Sequence, residues 1–193
     1  MKKRILILNG HPDPSPARFC AALANAYEHG ARSAGHDVRS LMVGALDFNL
    51  LRTAKAFSEM PQSTDIIGAR GDLLWAEHLV FVFPLWLGGP PALLKGFMEC
   101  VACKEFLLGT GKGPMPEGKL HGRTGRILVT MGMPSLIYRT FFVRHGTKAF
   151  ERSILNLAGV RPVRTSYVGN VEASAENRQH WIARARKLGA LAL

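Results

Sequence analysis

The segment 11–20 combines residue types that could bind an anion at the start of a helix. Ser15-Pro16 is typical of a helix N-cap followed by a proline at the first helical position. The first turn then carries Arg18 and no acidic residue, a charge that the helix dipole disfavours unless an anion binds there. We therefore expect the free N–H groups and Arg18 to hold a phosphate. The alternative is that Arg18 lies in solvent, and His11 either contacts the same ligand or only fixes the turn.

A tryptophan between prolines and glycines follows the apolar run at 79–83. The segment reads Pro84-Leu85-Trp86-Leu87-Gly88-Gly89-Pro90-Pro91. Trp86 could pack against a planar ligand, and the backbone N–H groups from Trp86 to Gly88 could bind the heteroatoms of a flavin. The alternative is that Trp86 is an ordinary core residue, because tryptophan is usually well buried.

A tyrosine and a histidine follow the apolar run at 127–130. Thr130-Met131-Gly132 continues to Tyr138 and then to His145. Both side-chain types can donate a proton to charge that develops on an oxygen or a ring nitrogen. The alternatives are that Tyr138 closes a core and that His145 caps a helix.

Hydrophobic patterning predicts the elements that would bring these segments together. Short apolar runs predict strands at 5–8, 79–83 and 127–130, and we interpret 38–43 and 163–168 as two further strands. Helical spacing predicts helices over 19–33, 92–101, 147–157 and 175–188, and the end of another over 72–77. We interpret 44–70 as mostly loop with one helical turn at 54–58, and 104–119 as a loop rich in glycine, proline and lysine.

The alternation of strands and helices indicates an α/β fold, a doubly wound parallel sheet with helices on both faces. Five strands fit the flavodoxin-like order 2-1-3-4-5, in which ligands bind at the carboxyl ends of the strands, near the switch point between strands 1 and 3. The 193 residues suit one domain, so we expect a single flavodoxin-like domain over 1–193. The segments 9–19, 84–91 and 131–146, and less directly 169–173, would meet at one edge of the sheet.

The chain is strongly basic. Its 25 lysine and arginine residues exceed its 14 acidic residues, which gives a net charge of +11. This charge favours anionic partners, including phosphate-bearing cofactors. The charges are scattered, however, and a generally basic surface explains them equally well. Because no basic and aromatic interleaving or helix-turn-helix pattern is present, we expect no nucleic-acid partner.

The cysteine count and the apolar runs bear on the compartment. Three cysteines, a small and odd number, indicate a reducing compartment. The apolar run at 5–8 is shorter than the central region of a signal peptide, and no segment approaches the ~20 apolar residues of a membrane span. We therefore expect a cytoplasmic protein.

Motifs of several other chemistries are absent or incomplete. No G-x-G-x-x-G follows the first strand, and neither G-x-S-x-G nor H-E-x-x-H occurs. The segment 113–119 matches most of a P-loop, but Leu120 replaces the Ser/Thr and two prolines remove N–H groups, which favours a surface loop. Cys100-x-x-Cys103 has no second pair and lies near a helix end. This position favours core or surface thiols over a zinc or redox site, and we expect no metal.

Together these segments resemble the flavodoxin-like NAD(P)H:quinone oxidoreductases, the group that contains DT-diaphorase and the ancillary subunits of glutathione-gated potassium efflux systems. Residues 5–12 are similar to the strand-then-histidine opening of that family. Pro84-Leu85-Trp86, followed by Pro91-Ala92-Leu93-Leu94-Lys95-Gly96-Phe97, resembles its most specific signature. Thr130-Met131-Gly132, Tyr138 and His145-Gly146 resemble its second flavin loop, which supplies a tyrosine and a histidine beside the ring.

The chain departs from the family pattern at several positions. Arg18 and Cys20 stand where a small polar pair is common, and Met131 stands where threonine is common. His145 is one residue farther from Tyr138 than in DT-diaphorase. Because of Arg18 and Cys20, the phosphate contacts can differ from those of the family.

The resemblance implies an enzyme that takes a hydride from NADPH or NADH onto a bound flavin and passes two electrons to a quinone-like acceptor. Tyr138 and His145 would be catalytic, by stabilising or protonating the reduced flavin and the quinone oxygen. FMN is favoured over FAD because the chain is short and has no evident adenine pocket. The expected flavin-binding residues are His11, Ser15, Arg18, Phe19, Cys20, Pro84, Leu85, Trp86, Leu87, Gly88, Thr130, Met131, Gly132 and Tyr138.

The resemblance also implies partners. It implies a homodimer with its sites at the interface, and a basic environment would attract NADPH over NADH. An alternative function is a regulatory flavodoxin-like subunit that docks on a membrane transporter, with its basic face toward anionic lipid.

Overall fold

Five segments form the strands of a parallel sheet, and the three central ones are rich in apolar residues. The computed structural model, which describes residues 1–107 and 118–193, places the strands at Arg4–Asn9 (β1), Asp37–Met42 (β2), His78–Pro84 (β3), Thr124–Thr130 (β4) and Val163–Val168 (β5). All neighbouring strands are parallel, in the order β2-β1-β3-β4-β5. The predicted α/β fold, the strand order and the five strand positions are confirmed.

Helices connect the strands and cover both faces of the sheet. They are Phe19–Ser33 (α1), Ala54–Ser58 (α2), Thr64–Trp75 (α3), Ala92–Ala102 (α4), Ser135–Thr140 (α5), His145–Phe150 (α6) and Ala175–Leu191 (α7). A 3-10 turn at Val43–Ala45 follows β2, and π-helical turns at Glu151–Asn156 continue α6. The predicted bounds of α1 and α2 are confirmed, whereas α4 and α7 extend beyond their predicted ends.

The two faces of the central strands pack into separate cores. Leu8 and Phe81 belong to the core beneath α3, α4 and α6, whereas Ile7 and Val80 belong to the core beneath α1 and α7. A strand that is buried on both faces needs apolar residues at consecutive positions. This requirement explains why β1 and β3 can be recognised in the sequence as uninterrupted apolar runs.

Helices α1 and α7 approach closely because a glycine lies on each side of their contact. A Cβ atom added to Gly30 would overlap with the carbonyl oxygen of Arg186, and one added to Gly189 would overlap with that of Tyr27. Two backbones can come this close only where no side chain separates them. The contact fixes α7 against the helix that follows β1.

The segment 44–70 is more helical than its sequence predicts. Helix α3 begins at Thr64, and the Ser63 side chain caps it by accepting a hydrogen bond from the Ile66 N–H. Gly68 and Gly71 lie inside this helix and weaken its pattern, because glycine disfavours helix interiors. The prediction of a loop as far as residue 70 was therefore wrong from Thr64 onward.

Other differences are smaller. Helix α5 lies within 131–146, for which no helix is predicted, and α6 begins at His145 rather than at residue 147. Strand β2 ends at Met42 instead of residue 43. Residues 108–117, which contain most of the predicted loop and of the P-loop-like segment, lie outside the described residues. Within the described ranges, no helix has both the length and the apolar character needed to cross a membrane.

Candidate active site

Three loops meet at the carboxyl edge of the sheet, where β1, β3 and β4 end. They are residues 10–18 after β1, 85–91 after β3 and 131–134 after β4. The rings of His11 and Trp86 meet edge to face, with their centroids 5.9 Å apart. The Leu85 N–H donates to the Thr130 carbonyl oxygen at 2.7 Å. The structure therefore brings together the three segments that the sequence predicts to form a site.

Short-range hydrogen bonds hold the first loop. Asn9 Oδ1 accepts from the His11 N–H at 3.0 Å, and His11 Nδ1 accepts from the Asp13 N–H at 3.0 Å. Asp13 Oδ1 continues the pattern by accepting from the Ser15 N–H at 2.9 Å. Such bonds from a side chain to the N–H two residues later favour turns over helix. The loop is therefore held in one shape up to Ser15.

Helix α1 begins at Phe19 and not beside Ser15. Arg18 occupies the N-cap position without a side-chain cap, and the first turn contains no acidic residue. The N–H groups of Phe19 and Cys20 have no hydrogen-bond partner among the described residues. Free N–H groups at a helix start are suited to bind an anion. The predicted cap at Ser15 was wrong, but the helix does start with free N–H groups.

Arg18 forms an ion pair with Asp13 beside this helix start. The Arg18 Nε and Nη2 atoms lie 2.6 Å and 2.5 Å from Asp13 Oδ2. The Ser15 N–H and the Arg18 guanidinium lower the pKa of Asp13 below its ordinary value. Arg18 is thus held in place by a carboxylate, and a bound phosphate would compete with this carboxylate for Arg18.

His11 fixes the turn and also keeps a donor for a ligand. Burial lowers its pKa below the ordinary value, despite the hydrogen bond and charge of Asp13 that act in the opposite direction. The ring is therefore neutral at pH 7. Because Nδ1 accepts the Asp13 N–H, the ring proton lies on Nε2. The two interpretations of His11 from the sequence are compatible with each other.

Cys20 lies in the core below the loops. Its Sγ is 3.4 Å from Thr130 Oγ1, and burial raises the pKa of the thiol to about 11. Phe19 is half-buried against the same core. The Cys20 side chain is therefore not available to a ligand, and any binding role is confined to its backbone N–H.

A two-residue hairpin turn presents Trp86. Trp86 and Gly89 exchange backbone hydrogen bonds of 2.9 and 3.0 Å, and the residues between them have positive φ, 46° at Leu87 and 83° at Gly88. These are the features of a type I′ turn. The Trp86 side chain is 51% exposed, so the ordinary-core alternative was wrong.

The same turn decides which of its N–H groups can bind a ligand. The Trp86 N–H donates its hydrogen bond to the Gly89 carbonyl oxygen, so the expectation that this N–H group binds a ligand was wrong. The N–H groups of Leu87 and Gly88 have no partner in the part of the chain that the structure describes. The predicted contribution of this loop is therefore reduced to these two groups and the Trp86 ring.

Tyr138 connects the Trp86 turn to α6. Its buried hydroxyl donates to the Gly88 carbonyl oxygen at 2.9 Å and accepts from the Thr147 N–H at 3.2 Å. The Thr147 hydroxyl in turn lies 3.2 Å from that of Tyr167. In this arrangement the hydroxyl proton of Tyr138 is already donated to the backbone. The geometry therefore gives Tyr138 a positioning role toward the Trp86 turn.

His145 is exposed at the start of α6. It borders a cavity of about 320 Å³. The other lining residues are Leu87, Gly88, Gly89, Tyr138, Phe142 and Gly146. The two residues predicted to be catalytic thus share one small cavity with the turn that carries Trp86.

Two residues with roles in this arrangement were not predicted. Asn9 is buried at the end of β1, and its Nδ2 has no partner among the described residues. The spacing of Asn9, His11 and Asp13 at every second position could have indicated the turn. No sequence signal connects Thr147 with Tyr138, because their contact depends on how α5 and α6 pack.

A larger cavity of about 760 Å³ lies elsewhere, between residues 47–51, residues 59–66 and the end of α4. Cys100 and Cys103 line it, and both are free and buried. Of the two predicted alternatives, core or surface thiols, the structure shows core thiols. None of the predicted site residues lines this cavity. Across the described ranges, no cluster of three or more His, Cys, Asp or Glu residues could hold a metal.

Comparison with known proteins assigns the chain to a family. The sequence matches the model of a protein family described as having a flavodoxin-like fold, over residues 3–189. The chain belongs to this flavodoxin-like family. It is 27% identical to FMN-dependent NADH:quinone oxidoreductase 2 of Listeria innocua over 203 residues, covering 95% of this chain and 94% of that protein.

Two further comparisons agree with the flavodoxin-like assignment. A ribosyldihydronicotinamide dehydrogenase-like protein of Penicillium crustosum is 32% identical over 87 residues, which span 42% of this chain and 33% of that protein. The crystal structure of Smu.1420 from Streptococcus mutans matches with a TM-score of 0.79 and 27% identity, over 97% of this chain and 99% of the other. The resemblance to flavodoxin-like quinone oxidoreductases is confirmed.

The polar groups at this flavodoxin-like edge fit a flavin. The free N–H groups of Phe19 and Cys20 suit a phosphate, and the exposed Trp86 suits a flat ring. The N–H groups of Leu87 and Gly88 are donors without partners among the described residues. Flavin rings carry carbonyl oxygens and ring nitrogens that accept such hydrogen bonds. The buried donor on Asn9 Nδ2 is a further unsatisfied group at the same edge.

Proposed function

We propose that this chain is an FMN-dependent NAD(P)H oxidoreductase that reduces a quinone-like acceptor. The observation that carries the proposal is the meeting of a free helix start, an exposed Trp86 and unpartnered N–H groups at one edge of the sheet. When bound, FMN would supply hydride acceptance from NAD(P)H and two-electron delivery to the acceptor. The FMN-dependent NADH:quinone oxidoreductase of Listeria innocua among its relatives supports both the cofactor and the reaction.

The phosphate end of the flavin would bind at the start of α1. The N–H groups of Phe19 and Cys20 would donate to the phosphate oxygens, with help from the helix dipole. Arg18 would add a charge-assisted hydrogen bond and release part of its pairing with Asp13. Ser15 lies in the turn that sets the position of this helix start.

The ring end would lie beside the Trp86 turn. Trp86 offers an exposed aromatic surface, and His11 offers its Nε2 proton next to it. The N–H groups of Leu87 and Gly88 would bind ring heteroatoms. The remaining predicted contacts are Pro84, Leu85, Thr130, Met131 and Gly132, which lie at the ends of β3 and β4.

We assign proton donation to His145 and positioning to Tyr138. His145 is exposed on the cavity beside the Trp86 turn, so it can reach a ligand there. Tyr138 holds the Gly88 carbonyl and thereby the turn. A direct catalytic role of Tyr138 would require its hydroxyl to exchange this hydrogen bond for one to the substrate.

A second copy of this chain would cover an exposed apolar surface beside the site. We call this surface the apolar patch; it consists of Met133, Leu136, Ile137, Phe141, Phe142 and Val143. Phe141 is 79% exposed and Leu136 is 66% exposed, which is unusual for large apolar side chains in one short segment. Because Phe142 also lines the His145 cavity, a homodimer formed here would place its sites at the interface.

The compartment and the single-domain organisation belong to the same proposal. The three cysteines are free and buried, which suits the reducing cytoplasm. One flavodoxin-like domain over 1–193 agrees with the single sheet of the described residues. The transporter-docking alternative has no specific observation in its favour among those residues.

The proposal is tested by visible absorption. The purified protein is mixed with FMN, desalted, and then treated anaerobically with NADPH and afterwards with a quinone. We expect FMN to remain bound, NADPH or NADH to bleach its absorption, and the quinone to restore it. Trp86→Ala, at an exposed position that contributes little to the core, should weaken FMN retention. If no flavin stays with the folded protein, the proposal is wrong.

A further inference from the structure

A buried arginine lies on the face of the sheet that α1 and α7 cover. Arg126 is only 7% exposed, and its Nη1 donates to the hydroxyl of Ser166 on β5 at 3.1 Å. Its Nε is buried and has no hydrogen-bond partner among the described residues. A buried charge that lacks both a full set of hydrogen bonds and a counter-charge is strongly unfavourable. This position therefore needs an explanation.

Two further arginines add positive charge to the surroundings of Arg126. Arg164 is its register partner on the neighbouring strand β5, so both side chains leave the sheet on the same face. Arg184 lies on the covering helix α7, with its guanidinium carbon 5.0 Å from the centre of the Trp181 ring. Burial lowers the pKa of Arg126, and the charges of Arg164 and Arg184 lower it further.

Among the described residues, no Asp or Glu side chain forms an ion pair with this cluster. None of the ion pairs in the described ranges includes Arg126, Arg164 or Arg184. Tyr27 lies near Arg126, but its hydroxyl is 3.0 Å from His78 Nε2 and also donates to a main-chain oxygen of Leu193, the last residue of the sequence. Burial raises the pKa of Tyr27, so it stays neutral and cannot act as the counter-ion.

We propose that Arg126, Arg164 and Arg184, with the Ser166 hydroxyl, bind a phosphate-type oxyanion. Guanidinium groups bind the oxygens of such anions through paired N–H donors, and the unpartnered Arg126 Nε–H supplies one of them. A dianion would balance the positive charge with which no acidic side chain of the described residues pairs. The bound anion would connect β4, β5 and α7.

This site is separate from the candidate active site. Arg126 lies four residues before Thr130 on β4, which places it about 13 Å from the carboxyl edge at about 3.3 Å per residue. None of the residues assigned to the flavin belongs to the arginine cluster. The proposal is therefore independent of the proposed function.

The test measures phosphate binding to protein saturated with FMN, so that the phosphate position at α1 is already occupied. Inorganic phosphate is titrated calorimetrically at constant ionic strength, with chloride as the reference, and glycerol 3-phosphate in a parallel titration. We expect one phosphate site per chain, and at 100 times its Kd a rise in Tm of about 5–10 °C. Binding of glycerol 3-phosphate as well would identify the phosphate group of a metabolite as a ligand, whereas binding of inorganic phosphate alone would identify the free ion.

Three variants locate the site. Arg126→Met should abolish phosphate binding and raise the Tm of the phosphate-free protein, because it removes a buried unbalanced charge. Arg184→Gln changes an exposed residue that can be replaced without disturbing the core, and it should weaken binding by about 10-fold or more. Arg152→Gln, on the turns that cover the other face of the sheet, makes the same charge change and should leave the affinity unaltered. Equal loss in Arg184→Gln and Arg152→Gln, or no binding beyond that of chloride to the parent protein, would overturn the proposal.

Discussion

At the scale of single residues, Arg18 is the residue whose partner should change when a flavin binds. In this structure it pairs with Asp13 at the start of α1. An exposed ion pair of this kind contributes little to stability, because solvent screens it. A hydrogen bond from the same guanidinium to a flavin phosphate would be stronger, because the phosphate carries more charge and is held by the helix start as well.

Arg18→Gln should therefore weaken FMN binding by about 10- to 100-fold while leaving the Tm nearly unchanged. Riboflavin provides the matched control, since it has the same ring and no phosphate. Its affinity should be equal in the parent and the variant. Fluorescence titration with both flavins measures the difference. A loss of riboflavin affinity as large as that of FMN would show that Arg18 acts on the ring or on the fold instead of the phosphate.

His78 gives the molecule a pH dependence that is independent of the active site. It is buried beneath α1, with its Nε2 at 3.0 Å from the Tyr27 hydroxyl and its Nδ1 at 2.6 Å from Thr124 Oγ1. Burial lowers its pKa to about 3, and the charges of Lys3, Arg126, His36 and Arg164 act in the same direction. In the unfolded chain it would titrate near 6.5.

Stability should therefore fall as the pH is lowered from about 6.5 toward 3, because only the unfolded chain binds a proton at this position. The loss from this residue is at most about 5 kcal/mol across the whole window. His78→Gln, which keeps a hydrogen-bonding side chain, should show a smaller decrease in unfolding free energy between pH 6.5 and pH 4. Urea unfolding at several pH values measures this, with the exposed His180→Gln as the control. Parallel curves for His78→Gln and the parent protein would contradict the assignment.

At the scale of elements, the sequence predicts best those strands and helices whose own burial sets their hydrophobic pattern. The strands β1, β3 and β4 are visible because burial on both faces demands apolar runs, and α1 is visible because one of its faces is buried. The first part of helix α3 was not predicted, because Gly68 and Gly71 weaken its helical pattern and are typical of loops. The start of α1 was misplaced because the hydrogen bonds of Asn9, His11 and Asp13 hold the chain in a turn where Ser15-Pro16 alone would favour a helix.

The contact of α1 with α7 shows the opposite case, in which a glycine in a helix is required by packing. Gly30→Ala should lower stability by about 1–3 kcal/mol, because the new methyl group must displace the Arg186 backbone and this outweighs the gain in helix propensity. Gly68→Ala on α3 is the matched control, since its added Cβ meets no atom within 4 Å. It should stabilise the protein by up to about 1 kcal/mol. Thermal unfolding of both variants checks the pair, and a stabilised Gly30→Ala would refute the close contact.

At the scale of the whole molecule, the sequence predicts where the site lies but not what surrounds it. The three loops could be placed together because parallel strands share one carboxyl edge. The arginine cluster and the apolar patch could not be predicted, since they depend on which side chains β4, β5, α5 and α7 present to one another and to solvent. Arg126 adjoins the apolar run of β4 and Phe141 lies in another apolar run, and neither pattern indicates which groups surround the side chain.

The apolar patch leads to a prediction about assembly. If two copies of this chain pair through it, Phe141→Glu should convert a dimer into a monomer, because the carboxylate would have to be buried without a partner. Leu191→Glu is the control, since Leu191 is 55% exposed on α7 and lies outside the apolar patch. Sedimentation velocity of the two variants and the parent protein measures the assembly. Because Phe142 lines the His145 cavity, the Phe141→Glu monomer should also retain less FMN than the control. A parent protein that is monomeric at all concentrations, or a Phe141→Glu variant that stays dimeric, would show that the apolar patch is not the surface through which two copies pair.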